Sequence, residues 1–143
     1  QDPRILPPSF LPRAEVLDAY AQADLLVQPR PVSQHFGPYS FPSKLVEYLA
    51  SGTATLSTRL PGIPADLSQC PYWIDDDTDV GLATAIDRVR ETPLSDRRAR
   101  ARAAARLVRS TRSVEAQGDR LLHFFEAVHN KWSATRSPVR SGR

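Results

Sequence analysis

Apolar and polar positions follow two periods along this chain, and the switches between them mark its elements. Residues 14–23, "AEVLDAYAQA", place Val16, Leu17 and Tyr20 on one stripe, the spacing of a helix laid against a core. "DLLVQP" is a short apolar run stopped by Pro29 and predicts a buried strand. After a loop rich in Pro, Ser and Gly, a helix is expected over 42–51, with Leu45, Tyr48 and Leu49 inward, Pro42 at its first position and Gly52 ending it. "ATLST" is the next strand. The turn "LPGIP" and a short helical segment at 65–68 then lead to a strand at "YWID". Two or three helices close the chain: 80–90 with Leu82, Ile86 and Val89 inward, 97–109, and 114–130 with Leu121, Phe125 and Val128 in register.

Strand followed by helix, several times over, predicts an α/β fold: a Rossmann-like parallel sheet with helices on both faces and right-handed crossovers. At 143 residues the chain suits a single core, and no internal repeat occurs. No apolar run approaches the roughly 20 residues that span a bilayer. The chain contains no Met and opens on "QDPRILPPSF", which lacks the basic-then-apolar build of a signal peptide, so it is expected to be a fragment. Its lone cysteine, Cys70, has no partner for an internal disulfide and no companions at metal-ligand spacing. A reducing, cytoplasmic setting fits, and no metal site is expected.

Charge changes the picture only once it is located. Lys131, Arg136, Arg140 and Arg143 sit in a stretch without acids, so the net +3 becomes one negative charge over residues 1–130. Residues 1–130 are therefore expected to form the domain, and 131–143 a basic, disordered tail. A second basic cluster, "SDRRARARAAARLVRSTR", has helical composition with Ser95 or Asp96 as its cap. Its arginines read first as a solvated helix face and second as a phosphate or anionic-membrane contact. Nucleic acid is not an expected partner, because no aromatics interleave with those arginines.

In parallel α/β sheets ligands bind where strands end and helices begin, and "SQHFGPYSFPSKLVEYLASGTATLST", residues 33–58, occupies such a place. A helix start offers unpaired N–H groups and a positive dipole end, which suit a phosphate, and Gly37 lets the loop approach a ligand. Glu47, a turn further on, is acceptor-only and can take two ribose hydroxyls at once. The competing reading pairs Glu47 with Lys44, and on spacing alone it is the stronger. His35 is a lone loop histidine without a partner. No Gly-x-Ser-x-Gly elbow supports serine catalysis. "DDDTD", residues 75–79, lacks the glycine and distal glutamate of a calcium loop and reads as a turn in which Thr78 or Asp79 caps the next helix, with Trp73 beside it facing the core.

"FPSKLVEYLASGTATLST" resembles the donor-site segment of retaining GT-B glycosyltransferases, the large family that includes sucrose synthases and bacterial mannosyl- and glucosyltransferases. The parts come in that family's order: a strand at 23–29, the motif at 41–58, and a Pro-Gly turn at 60–64. "ILPPSFLPRAEVLDAYAQADLLV" is similar to the strand, loop and helix that precede the site there, so the likeness covers roughly residues 4–128. The resemblance implies the C-terminal, donor-binding half of a GT-B enzyme, truncated at its N-terminus. Such an enzyme transfers a sugar from a UDP- or GDP-type donor to a glycan or lipid-linked acceptor, with retention and without a cofactor or metal. This places it in the cytoplasm or at the inner membrane surface.

The same resemblance assigns roles. Glu47 matches the second glutamate of the family's pair, which holds the nucleotide ribose. Ser40, Phe41, Ser43 and Lys44 match the stretch whose backbone amides meet the donor's phosphates. The first glutamate of the pair falls at Tyr39, a departure that bears on sugar identity and on catalysis, so no catalytic residue is assigned. The cations that clamp the diphosphate, and the acceptor-binding half, would lie upstream of Gln1. The fragment alone is therefore expected to be inactive. The alternative is a non-catalytic nucleotide-sugar-binding remnant or interaction module.

Overall fold

The computed structural model describes residues 2–31 and 41–135. Helix α1 (Arg13–Gln22) leads to strand β1 (Leu26–Gln28), helix α2 (Ser43–Ser51) and strand β2 (Thr55–Thr58). A short 3-10 helix (Ala65–Leu67) precedes strand β3 (Tyr72–Ile74), and α3 (Asp79–Glu91), α4 (Leu94–Arg112) and α5 (Val114–Thr135) follow. The three strands pair in parallel in the order β1-β2-β3, with Val27 opposite Leu56 and Ser57 opposite Trp73. The architecture is α/β, as the alternation predicts, and is compatible with a Rossmann-like sheet.

Parallel neighbours require a crossover, supplied by α2 between β1 and β2 and by the segment with the 3-10 helix between β2 and β3, while α3 after the last strand covers one face of the sheet. Leu56 and Ile74 on one face pack with Ala85 and Val89 of α3, with Val27, Leu82 and Ile86 around them. Side chains alternate along a strand, so Thr55 and Ser57 point to the opposite face; α2 packs against β1 and β2 with Leu45 and Leu49 fully buried. Those strand positions are hydroxyl-bearing yet satisfied locally: Thr55 Oγ1 donates to the Thr53 carbonyl (3.1 Å) and Ser57 Oγ to that of Thr58 (3.2 Å). α2 ends on Gly52 in the left-handed region (φ 80°), the conformation that glycine adopts without a Cβ penalty.

The chain divides into two compact units, residues 1–106 and 107–143. The first holds the sheet, α1 to α3 and α4 as far as Arg106. In the second, α5 begins where Ser113 Oγ accepts from the Ala116 N–H (3.1 Å), and Gln117 Nε2 donates to the Thr111 carbonyl. α5 runs through Lys131 to Thr135, so the expected start of the tail at residue 131 falls inside a helix. Residues 136–143 lie outside the described part.

Several sequence expectations are corrected. α2 starts at Ser43, with Pro42 as the residue before its first turn. α4 starts a turn early, because the Pro93 carbonyl accepts from the N–H groups of Asp96 and Arg97; Ser95 and Asp96 therefore sit inside the helix rather than capping it. No strand forms among residues 4–12, where Pro7, Pro8 and Pro12 lack the donors a ladder needs, and Ile5, Leu6 and Phe10 stand exposed. α1 buries none of its residues; its Tyr20 ring meets the Tyr48 ring edge-on, centroids 4.9 Å apart, which leaves Tyr48 half-buried between the helices. Leu121, Phe125 and Val128 of α5 are exposed instead of facing a core. No helix among the described residues is long and apolar enough to cross a membrane.

Candidate functional site

The C-terminal ends of the three strands form one rim of the sheet. The Arg30 N–H just beyond β1 donates to Thr58 Oγ1 at the end of β2 (3.0 Å), tying two of those ends together. A cavity of about 430 Å³ opens between Thr58, Arg59, Ile74 and Asp75 to Asp77. A neighbouring one of about 250 Å³ is lined by Pro29, Arg30, Pro31, Leu82 and Thr78. Beside them Arg59 lays its guanidinium over the Trp73 ring, 4.4 Å from its centroid. Trp73 is half-buried on the edge strand and donates from Nε1 to the Ser68 carbonyl (3.1 Å).

Asp75 and Asp76 of "DDDTD" help to build the entry to α3. Asp75 takes two hydrogen bonds from Arg88, at 3.1 and 3.2 Å. Asp76 Oδ1 accepts from the Thr78 N–H (3.0 Å), and Thr78 Oγ1 accepts from the Gly81 N–H (3.1 Å), which makes Thr78 the cap. Gly81 is required there, since a Cβ would overlap the Asp76 carbonyl. Among the described residues, no three His, Cys, Asp or Glu side chains converge on a metal-sized site.

Of the predicted nucleotide-sugar residues, Phe41, Ser43, Lys44 and Glu47 lie at the start of α2. Phe41 is exposed, Ser43 and Lys44 are exposed in the first turn, and Glu47 is partly exposed one turn along. Glu47 is two residues from both Leu45 and Leu49, about 200° around the helix from each, so it faces away from the core. It is not empty-handed: Lys44 Nζ donates to its Oε2 at 3.1 Å. That bond, then the Glu47 charge, raises the Lys44 pKa, with Tyr20 adding to it. The pairing anticipated from spacing is therefore formed, and ribose hydroxyls would compete with Lys44 for one carboxylate. Neither of the two cavities on the rim takes a lining residue from α2. Tyr39 and Ser40, together with His35 and Gly37, lie outside the described residues.

Two features escaped the sequence. Arg100, expected on a solvated face, is half-buried: its Nε donates to the Cys70 carbonyl (3.0 Å), its Nη2 to that of Pro71 (2.6 Å), and its guanidinium covers the Tyr72 ring at 4.3 Å. It clamps α4 to the start of β3. Burial pushes the neighbouring Cys70 thiol up, with the Arg100 charge opposing, so at neutral pH Cys70 remains a thiol and a poor nucleophile. The second feature is a cavity of about 220 Å³ at the opposite rim, where the strands begin, lined by Arg97 and Arg98. Nothing in the spacing of an arginine-rich helix says which arginines turn inward. Comparison with known families, curated proteins and solved structures finds no match for this chain.

Proposed function

We propose that this chain is the donor-binding part of a nucleotide-sugar-dependent glycosyltransferase of the retaining GT-B type. The observation that carries the proposal is the order of parts: β1, a segment rich in Pro, Gly and Ser in the sequence, then α2 with Glu47 one turn inside, placed after the C-terminal end of a strand in a three-stranded parallel sheet. Ligands of such sheets bind at that end. The α2 start supplies amides and a positive dipole end for a diphosphate; Glu47 would take the ribose hydroxyls; and Lys44, released from Glu47, would add a cation. Transfer would then rest on positioning the donor and stabilising the leaving diphosphate. A UDP- or GDP-type sugar is the donor and a glycan or lipid-linked hydroxyl the acceptor, in the cytoplasm or at the inner membrane surface.

A second reading, a non-catalytic nucleotide-sugar module, draws support from Tyr39 standing where the family has its first glutamate. Calorimetry with UDP and GDP, on the segment joined to an N-terminal GT-B half, tests the shared claim. Glu47→Gln should weaken binding by about 1–3 kcal/mol, the loss expected for hydrogen bonds to a charged acceptor. Affinity unchanged by that substitution would sink both readings. Sugar transfer by the joined protein, absent from the 143-residue chain alone, separates enzyme from module.

A further inference from the structure

We propose that α5 and the basic stretch of sequence after it dock the protein onto an anionic membrane surface, with the helix lying in the plane of the interface. Every residue from Gln117 to Ala134 is exposed, on all sides of the helix. That surface is not polar all round. Leu121, Leu122, Phe124, Phe125, Val128 and Trp132 each keep about half of their surface in solvent, and the Phe124 and Phe125 ring centroids lie 5.9 Å apart. Helices owe most of their stability to an apolar side that something covers, and a contiguous apolar patch on a surface marks an interface.

Width and charge decide what covers this one. At about 100° per residue, Leu122 and Phe124 bound an apolar arc of roughly 160°, which between residues 121 and 132 only His129 interrupts. A seam between two helices uses a narrower stripe, so a second copy of α5 would leave Leu122 and Phe124 at wet margins. A lipid surface accepts the whole arc, because the helix sinks in as far as its polar side. The acids of α5, Glu115, Asp119 and Glu126, all fall outside the arc. Beyond Glu126 the chain holds no acid, while Lys131, Arg136, Arg140 and Arg143 bring four positive charges that complement anionic head groups. Trp132 stands where the apolar arc meets the basic stretch, and tryptophan suits the level of the head groups. Apolar face and basic stretch make two signals, the number that stable attachment takes. The helix lies on the membrane and does not span it, since no described helix is long and apolar enough to cross. None of these residues belongs to the α2 site, so docking is independent of what α2 binds.

The test is flotation of the full 143-residue chain with vesicles of phosphatidylcholine alone or mixed with phosphatidylglycerol, at low salt. The chain should float with the mixed vesicles, stay mostly in solution with phosphatidylcholine alone, and come off the mixed vesicles in part at about 1 M salt, where screening acts within about 3 Å. Docking should move tryptophan emission to shorter wavelength, and Trp132→Phe, which leaves Trp73 alone, should remove that shift. Phe125→Asp should weaken attachment at least about tenfold by taking an apolar ring out of the interface, with Tm unchanged because the side chain is exposed in the protein. Arg136→Ala and Arg140→Ala should each weaken it about fivefold. Failure to float with the mixed vesicles, equal flotation with both kinds, or attachment undiminished by Phe125→Asp overturns the proposal. So does a dimer that Phe125→Asp splits and that ignores vesicles, which assigns the arc to a second copy. Attachment lost once the chain is joined to an N-terminal GT-B half assigns the arc to that half and overturns it equally.

Discussion

Helices α2 and α5 both carry apolar side chains at three- and four-residue spacing: Leu45 and Leu49 in one, Leu121, Phe125 and Val128 in the other. In α2 those residues are 0% and 1% exposed; in α5 they are 54%, 57% and 49% exposed. Their stripes look alike, so the cause lies in what each helix connects. α2 joins two strands that pair in parallel, and such a crossover must return across the sheet, which brings α2 against β1 and β2. α5 lies in the second unit, which holds no strand among the described residues for its stripe to cover. Periodicity therefore reports that a helix has an apolar side; a cover for that side comes from topology.

The sharpest way to break this contrast is Leu49→Ala, expected to cost about 2–5 kcal/mol in urea unfolding because a fully buried leucine leaves a cavity. A loss under 1 kcal/mol would mean that α2 is not seated as described. Next in size is Gly81→Ala, where the new methyl meets the Asp76 backbone; the expected loss is roughly 1–3 kcal/mol, read in the same way. Gly118 in α5 provides the opposite sign. Nothing lies within 4 Å of a Cβ built there, so Gly118→Ala should stabilise by about 0.5–1 kcal/mol through helix propensity alone. Destabilisation at that site would show that the α5 surface around it is covered. The smallest effect belongs to Phe125→Ala, expected within about 0.5 kcal/mol of the parent despite the loss of an aromatic ring.

The same distinction runs through the candidate site. Every helix and strand expected between residues 14 and 130 forms, most within one to three residues of its expected bounds, because period, prolines and Gly52 are local signals. The Lys44–Glu47 pair was equally legible, since a three-residue separation on a helix brings two side chains together whatever the rest of the chain does. Arg100 was not, and neither was Arg97. Both belong to a cluster whose composition looks like a solvated face, and what they touch comes from segments about 30 to 70 residues away: the Cys70 and Pro71 carbonyls for one, the α1 end and Gly52 turn for the other.

What the sequence determined by itself is thus the set of elements, their parallel α/β order, and the chemistry offered at the start of α2. It did so because short-range sterics, capping and side-chain period act within a few residues. Only the tertiary structure decided which stripes are covered, that Trp73 lies under Arg59 on an edge strand, and that an arginine from a basic helix ends up with its Nε buried. Those outcomes depend on how strands pair and where crossovers return the chain. Such contacts join residues far apart in sequence, and no local pattern encodes them.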